Sequence, residues 1–250
     1  MEKEENKKYR FGLVGKNISY SFSKGYFGKK FSDLELQNHS YENFDLENIS
    51  DLPATLKEDN NIKGLNVTIP YKQKIIPYLD ELDTNAEIIG AVNTIRFTSR
   101  GLKGYNTDAY GFQKAIKPYL KKEDTKALIL GTGGASKAIA FVFNELGIKH
   151  TYVSRHPKKN QYSYLDLDQK ILDEYSVIIN CTPLGTYPNI KQKPNIPYQY
   201  ITTKHLLFDL IYNPEKTAFL IAGEKKGAAI SNGHKMLVFQ AEKAWEIWNS

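Results

Sequence analysis

The stretch that most constrains this chain is Leu128-Ile129-Leu130-Gly131-Thr132-Gly133-Gly134-Ala135-Ser136-Lys137-Ala138, where a short apolar run breaks into a glycine-rich loop and resumes as a helix-forming sequence. Glycines let a backbone come close to a pyrophosphate, and the free N–H groups at the start of the following helix carry a partial positive charge. Gly131, Thr132, Gly133, Gly134, Ala135 and Ser136 are therefore candidate phosphate contacts. The spacing is G-x-G-G-x-S, short of the full G-x-G-x-x-G fingerprint, so an ordinary strand-to-helix turn stays open as a reading at this point.

The neighbouring residues extend the loop into a βαβ unit. Ala138, Ile139, Phe141, Val142 and Leu146 recur at helical spacing from about Ser136 to Leu146, Gly147 stands as a C-terminal stop, and Ile148 to Val153 reads as a second strand. In dinucleotide folds that prefer NAD, an acid at the end of that second strand takes the ribose 2′-hydroxyl. Here the strand ends Val153-Ser154-Arg155-His156-Pro157-Lys158-Lys159, with no acid. Arg155 can stack on an adenine and pair with a 2′-phosphate, Ser154 can donate to it, and Lys158 or Lys159 adds charge. The expected cofactor is NADP; a solvated basic turn is the other reading of these cations.

Charge and cysteine content narrow the class. The net charge is +6 over 250 residues, but the lysine pairs at 7–8, 29–30, 121–122, 158–159 and 225–226 are interleaved with acids, which argues against a nucleic-acid surface. A mildly basic balance suits an enzyme with anionic cofactor and substrate. The 1 cysteine, Cys181, has no internal disulfide partner, and no Cys/His cluster has metal-ligand spacing. No apolar run approaches the roughly 20 residues of a membrane span, and residues 1–8 lack a signal-peptide core, so a cytoplasmic protein is expected.

Strands and helices alternate along the chain, predicting an α/β protein with two domains. In the first half, strands are expected at Arg10 to Gly15, Tyr41 to Phe44 and Gly64 to Thr68. Helices are expected near Ser23 to Leu34, Ile49 to Glu58 and Gln73 to Leu79. Gly90 to Phe97 with the turn Ser99-Arg100-Gly101 reads as a hairpin closing on Leu102 to Tyr105. Residues 1–106 form this first domain. Residues 107–232 form the second, Rossmann-like domain, whose further strands at Val177 to Asn180, Leu206 to Leu210 and Ala229 to Ser231 fit a parallel sheet. Residues 233–250 are expected to complete the first domain, because Leu237, Gln240, Ala241, Ala244, Trp245 and Trp248 share one face of a helix that packs back on it. A cleft between the halves is the expected place for a substrate.

Several polar residues of the first half are poorly explained as surface. In Asn66-Val67-Thr68-Ile69-Pro70-Tyr71-Lys72 the alternation points Asn66 and Thr68 the same way, and Pro70 ends the strand before Lys72. Asn93 and Asp108 are candidates for the same cleft. A lysine with an aspartate makes a proton-transfer pair, the carboxylate orienting the ammonium; an exposed lysine and a helix-capping aspartate are the alternatives.

At this point the chain resembles the shikimate dehydrogenase family. The resemblance rests on Gly15 to Ser23 (G-K-N-I-S-Y-S-F-S), Asn66 to Lys72 (N-V-T-I-P-Y-K), Gly90 to Thr94 (G-A-V-N-T), Asn106-Thr107-Asp108 and the Gly131 to Ser136 loop. It continues through Ile179 to Gly185 (I-N-C-T-P-L-G), Asp209 to Pro214 (D-L-I-Y-N-P) and Asn232 to Ala241 (N-G-H-K-M-L-V-F-Q-A), all in the family's order. The resemblance implies an N-terminal substrate domain, a Rossmann-like NADP domain and reversible NADPH-linked reduction of 3-dehydroshikimate to shikimate, on the route to chorismate and the aromatic amino acids. It implies Lys72 and Asp108 as the catalytic pair. Ser21 and Ser23, with Tyr212, match positions that hold the substrate carboxylate; Asn66, Thr68, Asn93, Asp108 and Gln240 match positions that bind its ring hydroxyls. Thr182 joins the cofactor set. Tyr20, Lys24, Thr132 and Ser154 depart from the commoner residues, His, Pro, Ala or Gly, and Asn. A quinate/shikimate dehydrogenase of relaxed specificity and a non-catalytic metabolite sensor are the competing readings, and a monomer and a homodimer are both compatible with the sequence.

Overall fold

The computed structural model describes residues 8–19, 21–57 and 61–250; Tyr20 and Glu58, named above, lie outside them. The chain divides into two compact units, Met1–Thr107 with Ala241–Ser250, and Asp108–Gln240.

The first unit is built on a six-stranded mixed sheet. Its strands are β1 (Tyr9–Gly15), β2 (His39–Asp45), β3 (Ile62–Val67), β4 (Glu81–Leu82), β5 (Thr94–Thr98) and β6 (Gly101–Tyr105), in the order β2-β1-β3-β5-β6-β4. β1 pairs parallel with β2 and β3, whereas β5 and β6 form the antiparallel hairpin expected from the Ser99-Arg100-Gly101 turn. Helices α1 (Phe22–Asp33), α2 (Leu52–Lys57) and α3 (Thr84–Ile89) join them. Alternation along β1 sorts the side chains between two cores. Phe11 and Leu13 pack with Ile18, Phe27, Phe31 and Tyr41 on one face, and Val14 packs with Leu65, Val67, Val92 and Ile95 on the other.

The helix expected over Gln73 to Leu79 is reduced to a 3₁₀ turn, Ile76–Tyr78. Pro77 sits inside it; a proline has no N–H to donate and biases the residue before it away from helical backbone. Lys72 accordingly lies in an irregular segment between β3 and this turn.

The second unit carries a five-stranded sheet, all parallel. It comprises β7 (Lys126–Leu130), β8 (Lys149–Val153), β9 (Val177–Asn180), β10 (Leu206–Asp209) and β11 (Ala229–Ser231), in the order β11-β10-β9-β7-β8. Helices α4 (Thr107–Ile116), α5 (Gly134–Glu145), α6 (Gln169–Glu174) and α7 (Ala218–Glu224) complete it. Burial on both faces explains the unbroken apolar runs of β7 and β9. The chain steps from β7 out to β8 and returns to β9 on the other side, so the strand order reverses between β7 and β9. Ligands of open parallel sheets bind at such a reversal, beyond the carboxyl ends of the strands.

The last helix, α8 (His234–Trp248), is shared. Ala241, Ala244 and Trp248 join the core of the first unit, as the apolar face of this segment predicts. Residues up to Gln240 group with the second unit, whereas the sequence alone places all of 233–250 with the first. The local reason is Gly111 of α4: a Cβ there would lie 2.6 Å from the Met236 carbonyl oxygen and 3.0 Å from Gln240 Cβ, so α4 and the start of α8 touch backbone to backbone.

Candidate active site

In the first unit, β3 and β5 bring a set of polar side chains into the interior. Asn66 and Asn93 are 4% and 2% exposed, and Thr94 and Thr107 are buried with them. Asn66 Nδ2 donates to the Asn93 carbonyl and to Thr94 Oγ1, both at 3.2 Å, while its Oδ1 accepts from Tyr41 Oη at 2.8 Å. Both Asn66 N–H groups are thereby engaged, and the remaining lone pair of Oδ1 is what the amide can offer a ligand. Asn93 Oδ1 accepts from Thr107 N at 2.7 Å and its Nδ2 donates to Thr107 Oγ1 at 3.0 Å. Buried polar groups are costly unless paired, so this cluster is held in one arrangement by mutual satisfaction.

Tyr41 links that cluster to α1. Its ring stacks on Phe27 with centroids 4.7 Å apart, and its hydroxyl accepts from Ser23 while donating to Asn66. Burial pushes the phenol well above its ordinary value, so it stays a neutral donor. Ser21 is the N-cap residue of α1, yet its hydroxyl makes no capping bond, and Ser21 Oγ is buried without a partner among the described residues. The capping explanation of Ser21 therefore fails, and a buried hydroxyl left unpaired calls for a ligand. Thr68 follows β3 and is half-buried. Lys72, also half-buried, is held through its backbone, whose carbonyl accepts from Val92 N at 2.7 Å, next to Asn93.

In the second unit, Asp108 opens α4 and is 6% exposed. Gln240, equally buried, donates from Nε2 to the Leu237 carbonyl at 3.0 Å. These two residues come from the helices joined at Gly111. Tyr212, half-buried, follows β10.

The glycine loop leaves β7 at the strand-order reversal. Gly131 has φ +100°, in the left-handed region, and a Cβ there would meet Thr182 Cγ2 at 3.1 Å. The loops after β7 and β9 are thus in contact, with Thr182 beside the glycines. Ser136 is buried and donates to the Gly133 carbonyl at 2.7 Å, bracing the turn from behind. Gly133 is the N-cap of α5 and supplies no side-chain cap, so the first-turn N–H groups are left for an anion. At the end of β8, Arg155 and Lys158 are exposed and Ser154 Oγ accepts from His156 N at 3.2 Å, with its own proton left to donate. A glycine cradle, an uncapped helix start and a basic, acid-free second strand end fit a 2′-phosphorylated dinucleotide.

Tyr41, Thr94 and Thr107 were not singled out from the sequence. Their hydroxyls acquire a role only through partners on other strands, and local spacing carries no sign of that.

Comparison with known proteins agrees with this geometry. Residues 13–95 match the family described as "Shikimate dehydrogenase substrate binding domain". Over 256 residues the chain is 39% identical to the shikimate dehydrogenase (NADP(+)) of Methanosphaera stadtmanae, covering 95% of this chain and 90% of that one. The chain belongs to the shikimate dehydrogenase family. A shikimate dehydrogenase (NADP(+)) of Clostridium botulinum is likewise 39% identical, over 96% of both chains. The crystal structure of shikimate 5-dehydrogenase from Thermus thermophilus, in complex with NADP(H) and shikimate, matches with a TM-score of 0.85 at 30% identity, covering 96% of this chain and 93% of that one. The shikimate dehydrogenase family match at 13–95 covers Ser21, Ser23, Asn66, Thr68, Lys72 and Asn93, the candidate substrate and catalytic residues of the first unit.

Proposed function

We propose that the chain catalyses the reversible, NADP-linked interconversion of 3-dehydroshikimate and shikimate. The observation that carries the reading is the polar set of the first unit, above all the buried Ser21 hydroxyl, which has no partner among the described residues, together with the Ser23, Tyr41 and Asn66 chain. The substrate is a carboxylate bearing several hydroxyls, and short polar groups held in fixed positions are what recognise such a molecule.

In this reading Ser21, Ser23 and Tyr212 donate to the carboxylate, Ser23 by turning to it the proton that it gives Tyr41 in the free protein, and Asn66, Thr68, Asn93, Asp108 and Gln240 bind the ring hydroxyls, Asn66 as an acceptor. Lys72 supplies or relays the proton to the developing alkoxide and offsets its charge, with Asp108 orienting the ammonium. Bound NADPH supplies the hydride. Gly131, Thr132, Gly133, Gly134, Ala135 and Ser136 form the pyrophosphate cradle, Ser154, Arg155 and Lys158 take the 2′-phosphate, and Thr182 closes the cofactor loop. Residues 1–106 with the end of α8 serve the substrate, and the second unit serves the cofactor while also supplying Asp108, Tyr212 and Gln240 to the substrate. We assign the enzyme to the cytoplasm, the place for chemistry on two small water-soluble metabolites.

The test is purified protein offered shikimate or quinate with NADP⁺ or NAD⁺, followed at the reduced-nicotinamide absorbance. Turnover is expected with shikimate and NADP⁺; absence of turnover with every pair sinks the reading.

A further inference from the structure

One buried carboxylate has no part in that scheme. Asp209 ends β10 and is 0% exposed. Its Oδ1 accepts from Ile211 N and from Asn180 Nδ2, both at 3.0 Å, and its Oδ2 accepts from Thr217 Oγ1 at 2.6 Å. No arginine or lysine pairs with it in these contacts; the charge is met by three neutral donors from three different segments.

Each donor leads to a different part of the cofactor unit. Asn180, its direct neighbour across the β9–β10 ladder, turns its Oδ1 to Thr182, accepting from Thr182 N at 3.0 Å and from Thr182 Oγ1 at 2.7 Å. The Ile211 amide fixes the first turn of the loop that carries Tyr212. Thr217 is the N-cap of α7, where its hydroxyl accepts from Leu220 N. The two loops also meet directly, Tyr187 N donating to the Asn213 carbonyl. A carboxylate has only acceptor sites, about four of them, so one group can brace all three donors at once, where the single oxygen of an amide of that size accepts two.

We propose that Asp209 is a positioning residue that locks the Thr182 loop and the Tyr212 loop into one assembly through separable arms, Asn180 for the first and the Ile211 amide for the second. The proposal rests on the reading above, in which Thr182 serves the cofactor and Tyr212 the substrate.

The arms make the idea testable by which Michaelis constant moves. In Asp209→Ala, KM for NADP⁺ and for shikimate both rise about tenfold or more, the scale of one lost buried hydrogen bond, with a smaller effect on kcat. Asp209→Asn keeps an acceptor for Ile211 and Asn180 and restores both constants to within about threefold of wild type. Should Asp209→Ala fail to fold, Asn180→Ala cuts the Thr182 arm alone, and is expected to raise KM for NADP⁺ about tenfold while KM for shikimate stays put. A fall in melting temperature with both constants unchanged makes Asp209 merely structural and overturns the proposal, as does Asn180→Ala shifting both constants equally. Wild-type protein that turns over no substrate overturns the functional reading and this inference with it; a normal wild-type rate with unmoved variants overturns this inference alone.

Discussion

The indole of Trp248 lies directly over the backbone of Gly64. A Cβ on Gly64 would come within 2.3 Å of the ring, and Trp248 Nε1 donates to the Ile95 carbonyl at 3.0 Å on the adjacent strand. The end of α8 is thereby pinned to the middle of the first sheet, with Phe11 and Phe27 packed against the same ring at 4.9 and 5.2 Å between centroids.

Gly64→Ala is therefore expected to displace Trp248 and to destabilise the protein by on the order of 1–3 kcal/mol, the range for overpacking a filled core. Denaturant unfolding measures it, with the fluorescence of Trp245 and Trp248, which share that cluster, as the local probe. An unchanged midpoint would mean that the ring has room to shift.

Tyr41→Phe removes one oxygen and keeps the stack on Phe27. Ser23 loses its acceptor and Asn66 the donor that fixes its amide. KM for shikimate should rise about tenfold with KM for NADP⁺ unchanged. Equal movement of the two constants would point to a general distortion instead.

Lys72→Ala should lower kcat by about 10²–10⁴-fold, the usual contribution of a positioned proton donor, with KM for shikimate little changed. A variant of near-normal kcat would remove Lys72 from the chemistry.

Arg155→Ala should raise KM for NADP⁺ by about tenfold or more, the scale of one charged hydrogen bond, and affect KM for NAD⁺ far less. If the two cofactors suffer alike, the 2′-phosphate contact is misassigned.

Burial raises the Asp209 carboxyl from its ordinary 3.8 to about 6, against the opposing pull of Thr217, Ile211 N and Asn180. Between those values the folded protein holds a proton that the unfolded chain has already released, so stability falls as pH rises through the window and levels off above it. The total is about 3 kcal/mol, at about 1.4 kcal/mol per unit. Asp209→Asn cannot titrate, so the stability of wild type relative to this variant should shrink from pH 4 to 6 and then stay flat. A difference that is level throughout, or grows with pH, refutes the assignment.

Much of the second unit was legible because its information is local. The glycine loop, the 3.6-residue periodicity of α5 and the missing acid after Val153 all lie within a single βαβ unit, where spacing translates directly into backbone path. The expected helix over Gln73 to Leu79 failed for a reason equally local, the proline at 77, whose effect on the preceding turn the apolar pattern had masked. The Ser21 hydroxyl was ambiguous until its environment was known, since a helix-capping serine and a ligand-binding serine look the same in sequence.

By itself the sequence determined the strand-loop-helix order, the cofactor class expected at Arg155 and the family to which Lys72 and Asp108 belong by motif. Only the tertiary structure decided which polar groups are partners. Tyr41 meets Asn66, Asp209 meets Asn180, and Trp248 covers Gly64, because strand order and helix docking bring distant segments within a few ångströms, where a buried hydrogen bond or a filled contact selects one arrangement. Periodicity tells which face of a strand a residue occupies; it does not tell what stands opposite.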